Sequence, residues 1–253
     1  MITIKNDLQL AKMRSAGHLL YDVLCQLREK MAPGMTTLDL DRYAHELITH
    51  AHATPSFLGY EGYPATLCVS IDDEVVHGIP SKHIEMKEGS IVSVDCGLVL
   101  DGWQADSAFT KGMGQISPEC AQLIEVTERC FFEGARQAVD GNRLGDIGHA
   151  VQQLAESYNY GVIRDLTGHG IGREMHEDPA VPNYGTPGHG VRLRRGMTIA
   201  IEPMIALGHY QVHQLRDGWT IVTNDHKPCS HYEHTIAITD GLPEVLTYPG
   251  FSW

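Results

Sequence analysis

Four acids of this chain stand inside apolar runs, and one histidine stands among glycines. They are Asp95 in "SIVSVDCG", Asp106 in "WQADSAF", Glu202 in "TIAIEPM", Glu233 in "HYEHTIAIT" and His169 in "LTGHGIG". Aspartate is scarce in strands, and a lone strand glutamate usually faces solvent, so placements repeated in this way need a common reason. The segment "SVDCGLVLDGWQADSA" (93–108) predicts a hairpin, because Asp101-Gly102 suits the positive dihedrals of a two-residue type I′ turn. Counting back from that turn sets Leu100 against Trp103, Val99 against Gln104 and Gly97 against Asp106. Asp95, two residues from Gly97, then shares a face with Asp106 as a diagonal neighbour about 7–8 Å away. Two unpaired carboxylates in one space repel each other unless a cation neutralises them. The competing interpretation is the polar outer face of an edge hairpin.

Taken together, Asp95, Asp106, His169, Glu202 and Glu233 offer four carboxylates and one imidazole. That donor set is too hard and anionic for a structural cysteine zinc site. Two divalent ions would balance its charge, and an oxygen-rich set with one nitrogen suits Mn²⁺, Fe²⁺, Co²⁺ or Zn²⁺. A pair of ions about 3.5–4 Å apart activates water near neutral pH, which is hydrolytic chemistry. The chain has no GxSxG, no P-loop and no GxGxxG after a strand to compete with this assignment.

Composition sets the outer bounds. With 253 residues, 42% of them hydrophobic and 20% charged, the chain can bury a sizeable core. Its net charge of -13 argues against a nucleic-acid footprint or an anionic membrane surface. No apolar stretch approaches the ~18 residues of a membrane span, and "MITIKNDLQLAKMRSAG" lacks the basic-then-apolar layout of a signal peptide. A cytoplasmic protein, monomeric at this size, is the expectation. Six scattered cysteines without a CxxC are expected to be reduced thiols.

The elements that must position the five residues can be traced in order. Asn6 can cap a helix with Leu10, Met13, Gly17, Leu20, Leu24 and Leu27 on one face, ended by Ala32-Pro33-Gly34. A second helix follows Thr36 or Thr37. A strand is expected over 66–71, then a loop holding His77, then the hairpin. Ser117-Pro118-Glu119 opens a helix expected to run to about Val139. A shift of 107 residues carries Gly34, Asp39 and Leu40 onto Gly141, Asp146 and Ile147. The same shift carries "EGSIVSVD" (88–95) onto "RGMTIAIE" (195–202), so Asp95 falls on Glu202. One constant offset joining separate segments favours an internal duplication. Two α+β halves, roughly 1–110 and 115–245 of a single domain spanning 1–253, would face each other across a central cleft.

At these five residues the sequence resembles the methionine aminopeptidases. The motifs "VHGIP", "VDCGLVLDGWQADSA", "TGHGIG", "MHEDP", "IEPM" and "YEHT" occur in order. The resemblance implies the pita-bread fold: two pseudo-symmetric α+β halves, with a central antiparallel sheet flanked by helices, around a dinuclear metal site. Only 25 residues separate His176 from Glu202, which leaves no room for a helical insertion and resembles the type I, bacterial form. The resemblance makes Asp95 a chelating ligand of one ion, Asp106 and Glu233 bridging ligands, and His169 and Glu202 ligands of the other. It makes Glu202 the proton shuttle, sets His176 against the tetrahedral intermediate, and places His77 near the scissile amide. It lines a methionine pocket with Phe57, Tyr60, Tyr63, Cys68, Met175 and Trp219. Cys is common in the family where this chain has Phe57, and Phe is common where it has Met175. The implied activity is removal of the initiator methionine from peptides and nascent chains with a small second residue, by attack of a metal-bridging hydroxide.

Two other functions share the scaffold. Enzymes of the same fold that cleave X-Pro bonds usually carry a large N-terminal domain. A binding protein on a dead scaffold should have lost ligands, whereas all five are present here.

Overall fold

The computed structural model describes residues 2–253. Helix α1 (Asp7–Lys30) begins as its sequence directs: the Asn6 side chain accepts from the Gln9 N–H, and the Gln9 side chain accepts from the Asn6 N–H. This reciprocal pair satisfies two N–H groups that the first helical turn cannot. Its stripe of Met13, Ala16, Leu20, Val23, Leu24 and Leu27 is buried. Helix α2 (Thr37–His50) is capped by Thr36, whose side chain accepts from the Asp39 N–H. Helices α3 (Pro118–Arg136) and α4 (Leu144–Ser157) pack on each other in the second half of the chain. The third helix stops three residues short of Val139, the strand expected over 66–71 begins at Leu67, and a two-residue strand, Thr54–Pro55, precedes it.

The hairpin has the register its turn dictates. Strand Ile91–Leu100 pairs with Trp103–Gly112, placing Leu100 opposite Trp103, Val99 opposite Gln104 and Gly97 opposite Asp106. Asp101 (φ 51°) and Gly102 (φ 74°) both lie in the left-handed region, as a type I′ turn requires. This hairpin supplies two strands of a nine-stranded antiparallel sheet. In spatial order its middle runs Ile91–Leu100, Trp103–Gly112, Glu233–Ala237, Thr198–Ile201, Gly168–Gly170 and Glu177–Val181. Leu67–Ile71 also pairs with Ile91–Leu100, with Cys68 opposite Asp95.

The two halves meet where Trp103–Gly112 pairs with Glu233–Ala237. The 107-residue shift reappears in the backbone: an isolated bridge joins Thr36 to Glu85, and its counterpart joins Arg143 to Arg192. Gly34 and Gly141 have φ of 87° and 95°, and Gly89 and Gly196 have φ of 89° and 85°. One side of the sheet carries the main apolar core, including Leu98, Phe109, Phe131, Ile199 and Ile236. His234 belongs to that side: it packs on Phe131, and its ring nitrogens lie 2.8 Å from the Thr247 hydroxyl and 3.1 Å from the Tyr232 hydroxyl.

Buried Asp41 on α2 ties this helix to the sheet. Its Oδ1 accepts from the N–H groups of Thr66 (2.8 Å) and Leu67 (2.9 Å), at the start of the strand that sets Cys68 beside Asp95. Asp41→Ala strands two buried donors and is expected to cost about 2–4 kcal/mol. Asp41→Asn, which retains an acceptor oxygen, should cost less. Urea unfolding checks this, and equal losses in the two variants would assign the effect to packing rather than to the two bonds.

Candidate metal centre

Pleating determines which side chains share a space. Asp95 stands opposite Ala108, and Ala108 stands opposite Glu233, so these three form one row across three neighbouring strands. Asp106 lies two residues from Ala108 and therefore projects from the same face. One step beyond the pair Ile201–His234 lie Glu202 and Glu233, while His169 stands in the next strand, Gly168–Gly170. Five adjacent strands thus deliver four carboxylates and an imidazole to one cavity. The small side chain of Ala108, in the middle of the row, leaves room for them.

His169 Nε2 lies 3.7 Å from Asp106 Oδ2 and 3.8 Å from Glu202 Oε1. Its Nδ1 lies 2.8 Å from the Gly170 carbonyl, which can only accept. The proton therefore sits on Nδ1, and Nε2 presents its lone pair to the acids, the tautomer a metal ligand needs. Asp106, His169 and Glu233 each offer a donor atom within 4.8 Å of the others. Asp95 Oδ1, Asp106 Oδ1 and Glu233 Oε1 are buried without a hydrogen-bond partner. Orphaned acceptor oxygens of this kind are what divalent cations satisfy, so the donor set fits such ions.

The electrostatics agree. Burial, followed by the charges of Asp106 and Glu202, pushes Asp95 and Glu233 well above the usual carboxylate range. Glu202 is pushed up to about 8 by burial and Asp106, against the opposing pull of His169. Burial opposes charge on His169, but Asp106 and Glu202 more than offset it and raise its pKa. Burial lowers His77 and His176, the latter helped by neighbouring His169.

The cavity measures about 160 Å³ and is lined by every residue singled out from the sequence except Met175, with Glu61 in addition. Met175 is not among the lining residues: it is buried and packs with Trp103, Ile171 and Phe57, its Cε close to where a side chain at Gly97 would stand. Tyr60 and His176 are joined by a 2.9 Å contact from the phenol oxygen to Nδ1, and the His176 ring lies 4.3 Å from that of His169. Trp219 stands edge-on to Tyr63 (5.0 Å) and to His77 (6.4 Å). The Tyr63 hydroxyl lies 2.9 Å from the Leu67 carbonyl and 3.0 Å from the Gly78 carbonyl, pinning the turn that holds His77. His77 itself has φ 61°, a left-handed conformation rare for a side-chain-bearing residue.

Two buried residues escaped the sequence reading. Asn183 donates from Nδ2 to the Glu202 carbonyl at 2.9 Å and steadies that strand end. His231 is 2% exposed, and its Nε2 lies 3.9 Å from Glu202 Oε2 and 3.8 Å from Glu233 Oε2. Burial, assisted by nearby His77, holds His231 down at about 3. A signal existed: His231 is two residues from Glu233, the spacing that places strand neighbours on one face.

A hydrolase-type metal site on a two-halved antiparallel sheet defines the class. Residues 11–240 match metallopeptidase family M24, and the chain belongs to that family. The methionine aminopeptidase of Clostridium acetobutylicum is 53% identical over 247 residues, covering 98% of this chain and 99% of that one. The crystal structure of methionine aminopeptidase from Thermotoga maritima is similar with a TM-score of 0.96 at 45% identity, covering 98% and 99% of the two chains. A prolidase from Pyrococcus horikoshii, at 20% identity and a TM-score of 0.79, shares the fold; the match covers 97% of this chain and 63% of that one.

The raised Glu202 pKa has a consequence for stability. Between the ordinary value of 4.5 and about 8, the folded metal-free protein keeps a proton that the unfolded chain has lost. That stabilisation is complete below the lower value and is lost as pH rises through the upper one. Asp95 and Glu233 are shifted in the same direction. Buried His231 and His234, held down at about 3, act in the opposite direction up to about pH 6.5, so the melting temperature of metal-free protein is expected to fall above that value, from pH 7 to pH 8, and saturating Mn²⁺ should flatten or reverse the slope. Glu74, raised to about 7 by burial outside the cavity, should keep its smaller contribution with Mn²⁺ present. A slope indifferent to Mn²⁺ would show that the acid cluster is not its source.

Proposed function

We propose that this chain, acting as a single catalytic domain, removes N-terminal methionine from peptides and nascent proteins with a small second residue. The observation that carries the reading is the meeting of five donor side chains at the floor of a cavity walled by Phe57, Tyr60, Tyr63 and Trp219. Asp95 would hold one divalent ion, His169 and Glu202 the other, and Asp106 and Glu233 would bridge them. Such ions, drawn from Mn²⁺, Fe²⁺, Co²⁺ or Zn²⁺, lower the pKa of water to near 7 and neutralise charge developing on a carbonyl oxygen.

The chain's own groups do the rest. Glu202 takes the proton of the attacking water and passes it to the leaving amine, a role open to a carboxylate kept ionised by neighbouring cations. If the Tyr60 hydroxyl donates to His176 Nδ1, His176 carries its proton on Nε2 and can donate to the carbonyl oxygen. His77, on its strained turn, faces the scissile amide from the Trp219 side. The apolar walls accept an unbranched thioether, and the buried thiol of Cys68, pushed well above its usual range by burial and Asp95, stays protonated and unreactive. The high relatedness to methionine aminopeptidases over nearly the full chain supports the substrate assignment. The cytoplasm is the compartment in which nascent chains are met, and the six free cysteines accord with it. No helix among the described residues is long and apolar enough to cross a membrane.

Metal-depleted protein should release no methionine from Met-Ala-Ser and regain activity with Mn²⁺, Fe²⁺ or Co²⁺, while leaving Leu-Ala-Ser intact. Cleavage of both peptides would replace this reading with a broad aminopeptidase. Asp106→Ala should reduce kcat by more than about a hundredfold, beyond the 10–100-fold typical of residues that only support ligands. Phe57→Ala should raise KM for the methionine peptide and narrow its advantage over the leucine peptide, by about 10-fold for the loss of apolar wall; unchanged selectivity would remove Phe57 from the pocket.

A further inference from the structure

We propose that His231 is a positioning residue for Glu202, donating an Nε2–H hydrogen bond that fixes this carboxylate for proton transfer. The inference rests on the reading of Glu202 as proton carrier. His231 is buried, and its Nε2 is without a hydrogen-bond partner. The acidic atoms facing that nitrogen are Glu202 Oε2 at 3.9 Å and Glu233 Oε2 at 3.8 Å. Carboxylates that ligate metal are ionised and only accept, so in the metal-loaded protein the proton of the neutral imidazole belongs on Nε2.

His169 presents the opposite tautomer, with Nδ1–H committed to the Gly170 carbonyl. Glu202 thus has a lone-pair imidazole 3.8 Å from Oε1 and a donor imidazole 3.9 Å from Oε2. A small shift of Glu202 toward the ring would leave one oxygen for metal and give the other to an N–H, fixing the plane of the carboxylate. Outer partners fix metal-ligand orientation in this manner.

The backbone of His231 is anchored, so the carboxylates must adjust toward the ring. Its N–H donates to Thr110 Oγ1 at 3.0 Å, and its carbonyl accepts from the same hydroxyl at 2.8 Å. Its strand, Cys229–His231, pairs with Met204–Ala206, setting His231 opposite Met204, two residues after Glu202.

The test compares His231→Gln, His231→Leu and His231→Asn, each measured with Mn²⁺ on Met-Ala-Ser and, loaded with Co²⁺, by visible absorption and calorimetric affinity. Leucine fills the space without a donor, and asparagine is polar but too short to reach. Both should lose about 10–100-fold in kcat, with KM within about threefold, and should alter the Co²⁺ absorption bands. Glutamine, which can present an N–H, should recover most of the kcat and the parental bands. Parental kcat and bands in His231→Leu would overturn the proposal. So would a His231→Gln variant as impaired as His231→Leu, which would mark a packing role. If leucine prevents folding, the contrast between glutamine and asparagine decides the matter. A parent protein without metal-dependent peptidase activity would instead refute the proposed function, while the Co²⁺ bands would still report whether His231 orients the ligands.

Discussion

Mutual repulsion among four carboxylates in one water-poor cavity is the constraint around which the molecule is built. Charges this close are tolerated only if protonated or balanced by cations, and the raised pKa values of Asp95, Glu202 and Glu233 record that cost. A flexible loop would relieve the repulsion by moving apart. A sheet cannot, because each acid is fixed by a ladder: Asp95 to Ala108, Ala108 to Glu233, and Ile201 to His234 beside Glu202. The backbone bonds of five strands therefore preserve an arrangement that the side chains alone would abandon. The same rigidity keeps the site ready for ions, since little reorganisation is needed when they bind.

The duplicated architecture explains how one cavity receives acids from distant parts of the chain. Asp95, midway along its strand, and Glu202, just past the end of the shorter equivalent strand, follow a glycine with positive φ in each half, Gly89 and Gly196. The seam between the halves then brings Glu233 beside Ala108. The symmetry stops at the neighbouring strand. Cys68 stands opposite Asp95 in the first half, whereas the second half supplies His169 near Glu202. One end of the site is consequently all oxygen, and the other carries nitrogen. The glycines around His169 serve this packing. A Cβ at Gly168 would lie 2.3 Å from the Ala200 carbonyl oxygen, and one at Gly170 would lie 2.2 Å from that of Asp178. The close backbone approach implied by "LTGHGIG" is therefore made by the neighbouring strands.

Much of this was legible in residue order because the decisive features are local. The Asp101-Gly102 turn sets the whole hairpin register, and through it the shared face of Asp95 and Asp106. Asn6 announces the first helix, and the repeated Gly34 and Gly141 announce the duplication. The spacing of His231 from Glu233 was a weak signal, because a chain with fifteen histidines gives no single one prominence, and its position between two acids comes only from the packing of the strands. Met175 was placed in the pocket wall by resemblance, but position in a motif does not specify whether a side chain lines a cavity or backs it. Glu61 was missed because it enters the cavity rim from a short, tightly turned segment with φ 49°, which no periodicity reveals.

The pocket and the acids are not independent modules. Gly97 pairs with Asp106 on the hairpin, so its position is fixed by the ladder that fixes a site acid. A Cβ on Gly97 would lie 2.8 Å from Met175 Cε and 2.9 Å from Phe57 Cε1. Phe57 and Met175 therefore occupy the space that a side chain at Gly97 would take, and their packing against bare backbone sets how far the wall stands from the acids. A change at either residue is therefore felt at the Gly97–Asp106 rung, because close-packed neighbours transmit strain, so the apolar wall and the acids are coupled through the hairpin.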